Sequence, residues 1–302
     1  MANPVALNLA LETGVLYAII AGVLWGTSPV LVKRGLVHSD VSSATLIQQA
    51  VILCTLIGLT LFEESLSTGP ISVFATLVFI ATGAVGAYLG RTLFVKSVDQ
   101  IGASRAQSVN NTSPLVTVLL AALLLGERLT VTVLVGVVLI VSGIFFIPKA
   151  ESQLDGRPAT RILTFTSVLA TLCYGLVPVM KKFGTDSGGS PMLGALVMHA
   201  TGLLLLLAFG RLLKIELKWK SIALSSLVCF VGAGVLQAFG SIYTLKALLY
   251  APASVVAPIW STQPIISFFL ARVTLKGIEV VTIRDGIAAA LVVIGVVVLR
   301  WG

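Results

Sequence analysis

Four prolines lie deep inside apolar stretches and form two matched pairs, Pro29 with Pro178 and Pro114 with Pro264, each pair separated by about half the chain. A helix-interior proline removes one backbone hydrogen bond and frees the carbonyl four residues earlier. Those carbonyls belong to Trp25, Tyr174, Asn110 and Trp260. In lipid a freed carbonyl must be buried in protein or face a watery space. Paired helix breaks at equivalent places in two halves therefore predict a membrane bundle built twice, with a central site where the breaks meet.

Composition agrees. Of the 302 residues, 57% are hydrophobic and 11% charged, with a mean hydropathy of +1.05. A soluble domain carries about 25% charged residues, so the chain reads as a polytopic membrane protein. Crossing a bilayer takes about 20 apolar residues. Ten stretches qualify: 13–32, 42–62, 71–95, 103–125, 130–147, 162–181, 191–210, 221–245, 252–271 and 286–300. Five lie on each side of the polar segment 148–161, PKAESQLDGRPATR. This predicts one unit over 1–147, a linker over 148–161 and a second unit over 162–302. An odd number of crossings per unit makes the second enter from the opposite face. The expected fold is all-α, with ten transmembrane helices in two inverted five-helix repeats. The segment MANPVALNLALETG has no basic region ahead of the first apolar stretch, which is read as a retained span.

The duplication is visible residue by residue. Trp25-Gly26 and Pro29-Val30 lie over Tyr174-Gly175 and Pro178-Val179, and Lys33 over Lys182, at an offset of 149. Further along, at an offset of 150, Gly90 lies over Gly240, Lys96 over Lys246, Ala103-Ser104 over Ala253-Ser254, Thr112 over Thr262, Pro114 over Pro264 and Gly136 over Gly286.

From Lys96 to Glu127 the pattern is K-x(6)-A-S-x(9)-P, ending in Leu125-Gly126-Glu127-Arg128-Leu129. The second half repeats it through Lys246, Ala253-Ser254 and Pro264. With the Trp25-Gly26 opening, the whole chain resembles the EamA-like transporters of the drug/metabolite transporter superfamily. The resemblance implies a central cavity and alternating-access transport of a small metabolite. The chain departs from the family pattern at Leu275-Lys276-Gly277, where relatives keep a Leu-Gly-Glu, and at the acidic Glu63 and Glu64.

The residues around the prolines are the first candidates for the site. Trp25, Tyr174 and Trp260 offer aromatic faces; Asn110, Asn111, Thr262 and Gln263 offer polar groups. The bland alternative is that the prolines only kink packed helices. Polar residues inside a span need partners, either a neighbouring helix or a substrate. Gln49 and His199 occupy matching places in the second and seventh spans; a histidine there either carries a proton or bridges helices. Arg91 either snorkels to the interface or, with Lys96 and Arg105, meets an anionic substrate group. Gln237 and Tyr243 on the eighth span complete the list. All twelve acidic residues fall in loops or at span ends. A membrane carboxylate is the usual partner of a permeant cation, so its absence argues against cation export.

Other functions lack signals. No phosphate-binding loop is present. Two distant histidines build no metal site, and Cys54, Cys173 and Cys229 read as small buried hydrophobes. No cofactor and no metal are expected. The net charge of +8 is spread over short loops without an aromatic-basic face, so no nucleic-acid partner is expected. Only five of the twenty basic residues (Arg128, Lys181, Lys182, Lys246 and Arg300) fall on the side of the N-terminus, so the positive-inside rule favours that end outside, whereas the family resemblance implies cytoplasmic termini. The reading is a secondary transporter in the cell membrane for a small neutral, zwitterionic or weakly anionic metabolite such as an amino acid. Its partners are that solute and the lipid bilayer, with a homodimer left open. A channel and a membrane-embedded enzyme are the alternatives.

Overall fold

Many small residues face inward and many large apolar ones outward, the pattern expected when lipid already solvates large side chains and close packing holds helices together. Ala18, Ala21, Ala75, Ala121, Ala195 and Ala233 are buried, while Leu61, Val73, Leu123, Phe165, Leu207 and Val228 are exposed. A computed structural model describes residues 4–35, 38–39, 41–62, 72–94, 97, 109–110, 112–126, 130–146, 165–210, 222–260 and scattered positions between 263 and 298.

Every described element is a helix. In order they are α1 (Pro4–Gly35), α2 (Val41–Phe62), α3 (Val73–Thr82), α4 (Ser113–Leu124), α5 (Val131–Phe146), α6 (Phe165–Asp186), α7 (Pro191–Phe209), α8 (Leu224–Tyr250) and α9 (Ala253–Trp260). α3 continues through a π-helical stretch, Gly83–Gly90, to Phe94. Five segments are long and apolar enough to cross a membrane: Leu11–Val32, Ser43–Leu61, Val73–Phe94, Pro191–Phe209 and Leu224–Tyr250. α4 and α5 are shorter and apolar. The linker 148–161 and most of the tenth expected span, 286–300, lie outside the described residues.

The two halves are related by an exchange of partners. α1 packs on α8 as α6 packs on α3, α2 on α8 as α7 on α3, and α1 on α9 as α6 on α4. α2 and α7 meet each other, as do α4 and α9. The equivalence reaches single residues. A Cβ on Gly26 would lie 2.8 Å from both the Gln263 carbonyl oxygen and the Ile266 Cβ. A Cβ on Gly175 would lie 3.0 Å from the Ser113 carbonyl oxygen and 2.5 Å from the Val116 Cβ. Ser113 and Val116 are the counterparts of Gln263 and Ile266 at the offset of 150. Likewise Gly35 lies against Phe230 and Gly184 against Phe79. The chain is an inverted repeat whose halves interlock.

The π-helical stretch keeps that register. Phe79 and Phe230 are 151 residues apart, Gly90 and Gly240 only 150. α3 therefore carries one more residue than α8 between its phenylalanine and its glycine. A π-turn absorbs one extra residue without ending a helix. Both landmarks then keep their equivalent contacts.

The prolines behave differently from expectation in two of four cases. α1 runs unbroken through position 29, and α6 unbroken through Pro178. Neighbouring helices support the loosened turn of α6. Thr117 Oγ1 on α4 donates to the Gly175 carbonyl at 2.7 Å, and Thr171 Oγ1 donates to the Val109 carbonyl at 3.3 Å. Such threonine bonds are a known way to satisfy backbone near a membrane proline. Pro114 does mark an interruption. It stands in the first turn of α4, where its missing N–H costs nothing. Pro264, and the side chain of Pro29, lie outside the described residues.

Candidate functional site

Where the halves interlock, two indoles converge. Gly240 on α8 has no side chain, and a Cβ there would overlap the Trp25 ring. The bare backbone lets that indole lie close against α8, where its Nε1 donates to the Gln237 carbonyl at 3.3 Å. Trp260 ends α9 and is 8% exposed. The ring centroids are 5.2 Å apart with the planes tilted by 44°, within the centroid range of interacting aromatic pairs.

Lys181 completes this group. It reaches in from α6, is 5% exposed, and holds its Nζ 5.2 Å from the Trp25 ring centroid and 5.4 Å from that of Trp260. A desolvated ammonium over an indole face gains about 2 kcal/mol. Its neighbour Lys182 points away and pairs with the exposed Asp186 at 2.7 Å. Among the described residues no carboxylate faces Lys181. The two described acids, Glu12 and Asp186, are both exposed.

Beside the indoles lies a neutral hydrogen-bonded cluster. Gln49 Nε2 donates to the His199 carbonyl at 3.0 Å and approaches His199 Nδ1 at 3.2 Å. His199 Nε2 meets Ser241 Oγ at 2.8 Å. An amide donating to Nδ1 leaves Nε2 as the N–H, which is the neutral tautomer donating to Ser241. Gln49 and His199 are 150 residues apart and are each other's counterparts, so they meet on the pseudo-two-fold axis. Gln237 Nε2 donates to Ser28 Oγ at 3.1 Å, and Ser28 donates on to the Ala233 carbonyl at 3.2 Å. His199 thus bridges α2, α7 and α8, the second of the two roles expected for it.

The equivalent aromatic of the other half, Tyr174, lies edge-on to Phe94 with centroids 6.2 Å apart and sits beside Gly90, as Trp25 sits beside Gly240. Arg91 follows the π-helical stretch and lies within electrostatic range of both Tyr174 and His199, as Lys181 does of His199. Its Nε is buried without a hydrogen-bond partner among the described residues, and so is Asn110 Oδ1. Gln263 is half-buried with its backbone against Gly26. Asn111 and Thr262 lie outside the described residues.

The structure therefore joins Trp25, Trp260 and Gln237 in one group, Gln49 and His199 in a second, and Tyr174 with Arg91 in a third. Tyr243 belongs elsewhere: it packs on Tyr17 with centroids 5.7 Å apart and takes the Lys246 Nζ over its ring at 5.8 Å. Sequence reasoning missed Lys181, having placed it at the end of the 162–181 span, whereas α6 extends to Asp186. A signal was available, because Lys181 is seven residues past Tyr174 and shares its helix face.

The comparisons fit this architecture. The model of the EamA-like transporter family matches residues 12–148 and again 162–301. No curated protein matches the chain. A solved structure described only as "Crystal structure of protein" superposes with a TM-score of 0.72, covering 94% of this chain and 97% of its own, at 17% identity. At that identity it speaks for the fold alone.

Proposed function

Because the chain belongs to the EamA-like transporter family, we propose that it is a secondary transporter moving a small metabolite across the cell membrane by alternating access. The segment 286–300 supplies the tenth helix in this reading, and the two repeats rock about the site where they interlock. The observation that carries the reading is the aromatic group itself. Trp25 comes from the first half, Trp260, Lys181 and Gly240 from the second. A relative movement of the halves must remake that contact, which is what opening a central site to one face and then the other requires. Inward-facing indoles, amides and hydroxyls suit an amino acid or a related zwitterion or weak anion. The family is one of transporters, and no catalytic constellation is needed.

Counterflow in proteoliposomes tests the proposal. Vesicles are preloaded with an unlabelled amino acid or carboxylic acid, and the same compound is added outside at trace level with a radiolabel. For at least one compound the label should accumulate transiently above its outside concentration and saturate. Flux that rises linearly with concentration would indicate a channel, and chemical conversion of the label an enzyme. Either result would contradict the proposal.

A further inference from the structure

Lys181 and Arg91 place two positive charges around the central cluster, and neither has a counter-ion among the described residues. A buried charge is costly unless it is paired and hydrogen-bonded. Both faces of the problem are visible here. The Lys181 ammonium leans on two indoles, and the Arg91 Nε is buried with no acceptor. A protein that needed these cations only for stability could have replaced them with apolar residues at little cost. The duplication shows that the fold does not need them. At the position equivalent to Lys181 the first half has Val32, and at the position equivalent to Arg91 the second half has Ser241. The scaffold accepts an apolar or a neutral side chain at these places. The charges are additions to one copy each, and both lie within electrostatic range of His199.

Resting on the transporter reading above, we propose that the site takes a small organic anion, a carboxylate, whose negative group binds the Lys181 ammonium between Trp25 and Trp260 with Arg91 supplying the second positive charge. In the empty site the indole faces hold the ammonium in place of the anion. A flat or apolar substrate body then packs on the indole walls, while the amide of Gln237 stands beside them for a polar substituent. The two positive charges repel cationic solutes.

The test uses the purified full chain in detergent, with Trp219 and Trp301 replaced by phenylalanine so that emission comes from Trp25 and Trp260. Acetate, benzoate and phenylacetate are titrated against acetamide, benzamide and phenylacetamide. The expected result is a saturable change in tryptophan emission and a rise in melting temperature with at least one acid, because a ligand that binds the native state stabilises it. The matched amide should bind at least about tenfold more weakly, equivalent to about 1.4 kcal/mol. Lys181→Gln should abolish the response to the acid, and Lys181→Arg should restore part of it. If Lys181→Gln does not fold, Arg91→Gln serves in its place, with a weakened response to the acid expected. Equal binding of acid and amide, or an unchanged response in a folded Lys181→Gln variant, would overturn the proposal. So would the absence of any response to the acids in wild type. Counterflow of a neutral compound with no acid binding would sink the anion and leave the transporter standing. Acid binding without counterflow of any compound would do the reverse.

Discussion

Gly240→Val is expected to lower counterflow by a factor on the order of ten or more while leaving the protein inserted and folded. Any Cβ at this position overlaps the Trp25 indole at its Cδ1 and Nε1. The ring cannot stay against α8, so its bond to the Gln237 carbonyl is lost and its contact with Trp260 is remade. One wall of the Lys181 site moves with it. A loss of about 1.4 kcal/mol in binding already amounts to tenfold. Gly58→Ala is the control, since nothing lies within 4 Å of the added carbon. Gly90→Val in the other half should also impair counterflow, because its added carbon lies 3.2 Å from the Cys173 Cβ, beside Tyr174. Wild-type counterflow in Gly240→Val would mean that Trp25 has no part in the site.

The largest stability loss is expected at Phe79. Its ring is fully buried and lies against the backbone of Gly184, Gly189 and Gly194, at the turn joining α6 to α7. Three glycines meet one ring, and they offer no side chain to fill the space after Phe79→Ala. Residual cavity volume costs about 24 cal/mol per Å³ in a well-packed core. Unfolded membrane segments remain in lipid, so the usual transfer contribution largely drops out. That leaves about 2–3 kcal/mol, read as a lower midpoint in unfolding by added denaturing detergent. Phe230→Ala, the equivalent change, should cost less, because among the described residues its ring covers a single glycine, Gly35. A Phe79→Ala midpoint equal to wild type would show that the α3–α6–α7 junction is not close-packed.

These two predictions separate what was legible in the sequence from what was not. Matched prolines and glycines revealed the duplication because the fold requires the same backbone approach twice. Gly26 and Gly175, or Gly90 and Gly240, have to stay bare wherever the opposite half presses on them. Trp25 and Trp260 were found through their position four residues before a proline. The one-residue insertion in α3 was hidden, since a π-turn changes which carbonyl each N–H reaches and leaves the apolar pattern intact. The expected breaks at Pro29 and Pro178 were misjudged for a related reason. Whether a proline interrupts a membrane helix depends on how its neighbours brace the loosened turn, here Thr117 from α4 on the Gly175 carbonyl next to the freed one, and such neighbours are invisible along the chain.

Lys181 was missed because a pair of lysines after an apolar run resembles a membrane boundary. More generally, matching the halves finds what the scaffold needs, while a substrate needs what the halves do not share. Val32 against Lys181, Arg91 against Ser241 and Gln49 against His199 are among the places where the copies differ. There the structure gathers its charged and hydrogen-bonding groups.

Accessibility of the interlocked site from both faces bears most directly on transport by two rocking repeats. A single cysteine at position 237, in a chain whose Cys54, Cys173 and Cys229 are replaced by alanine, is exposed to a membrane-impermeant thiol reagent in right-side-out and in inverted vesicles. Gln237→Cys removes the side-chain bond to Ser28 but keeps the carbonyl that holds Trp25. Labelling is expected from either side, in separate experiments on the same preparation. Labelling from one face only, whatever the solute present, would contradict alternating access.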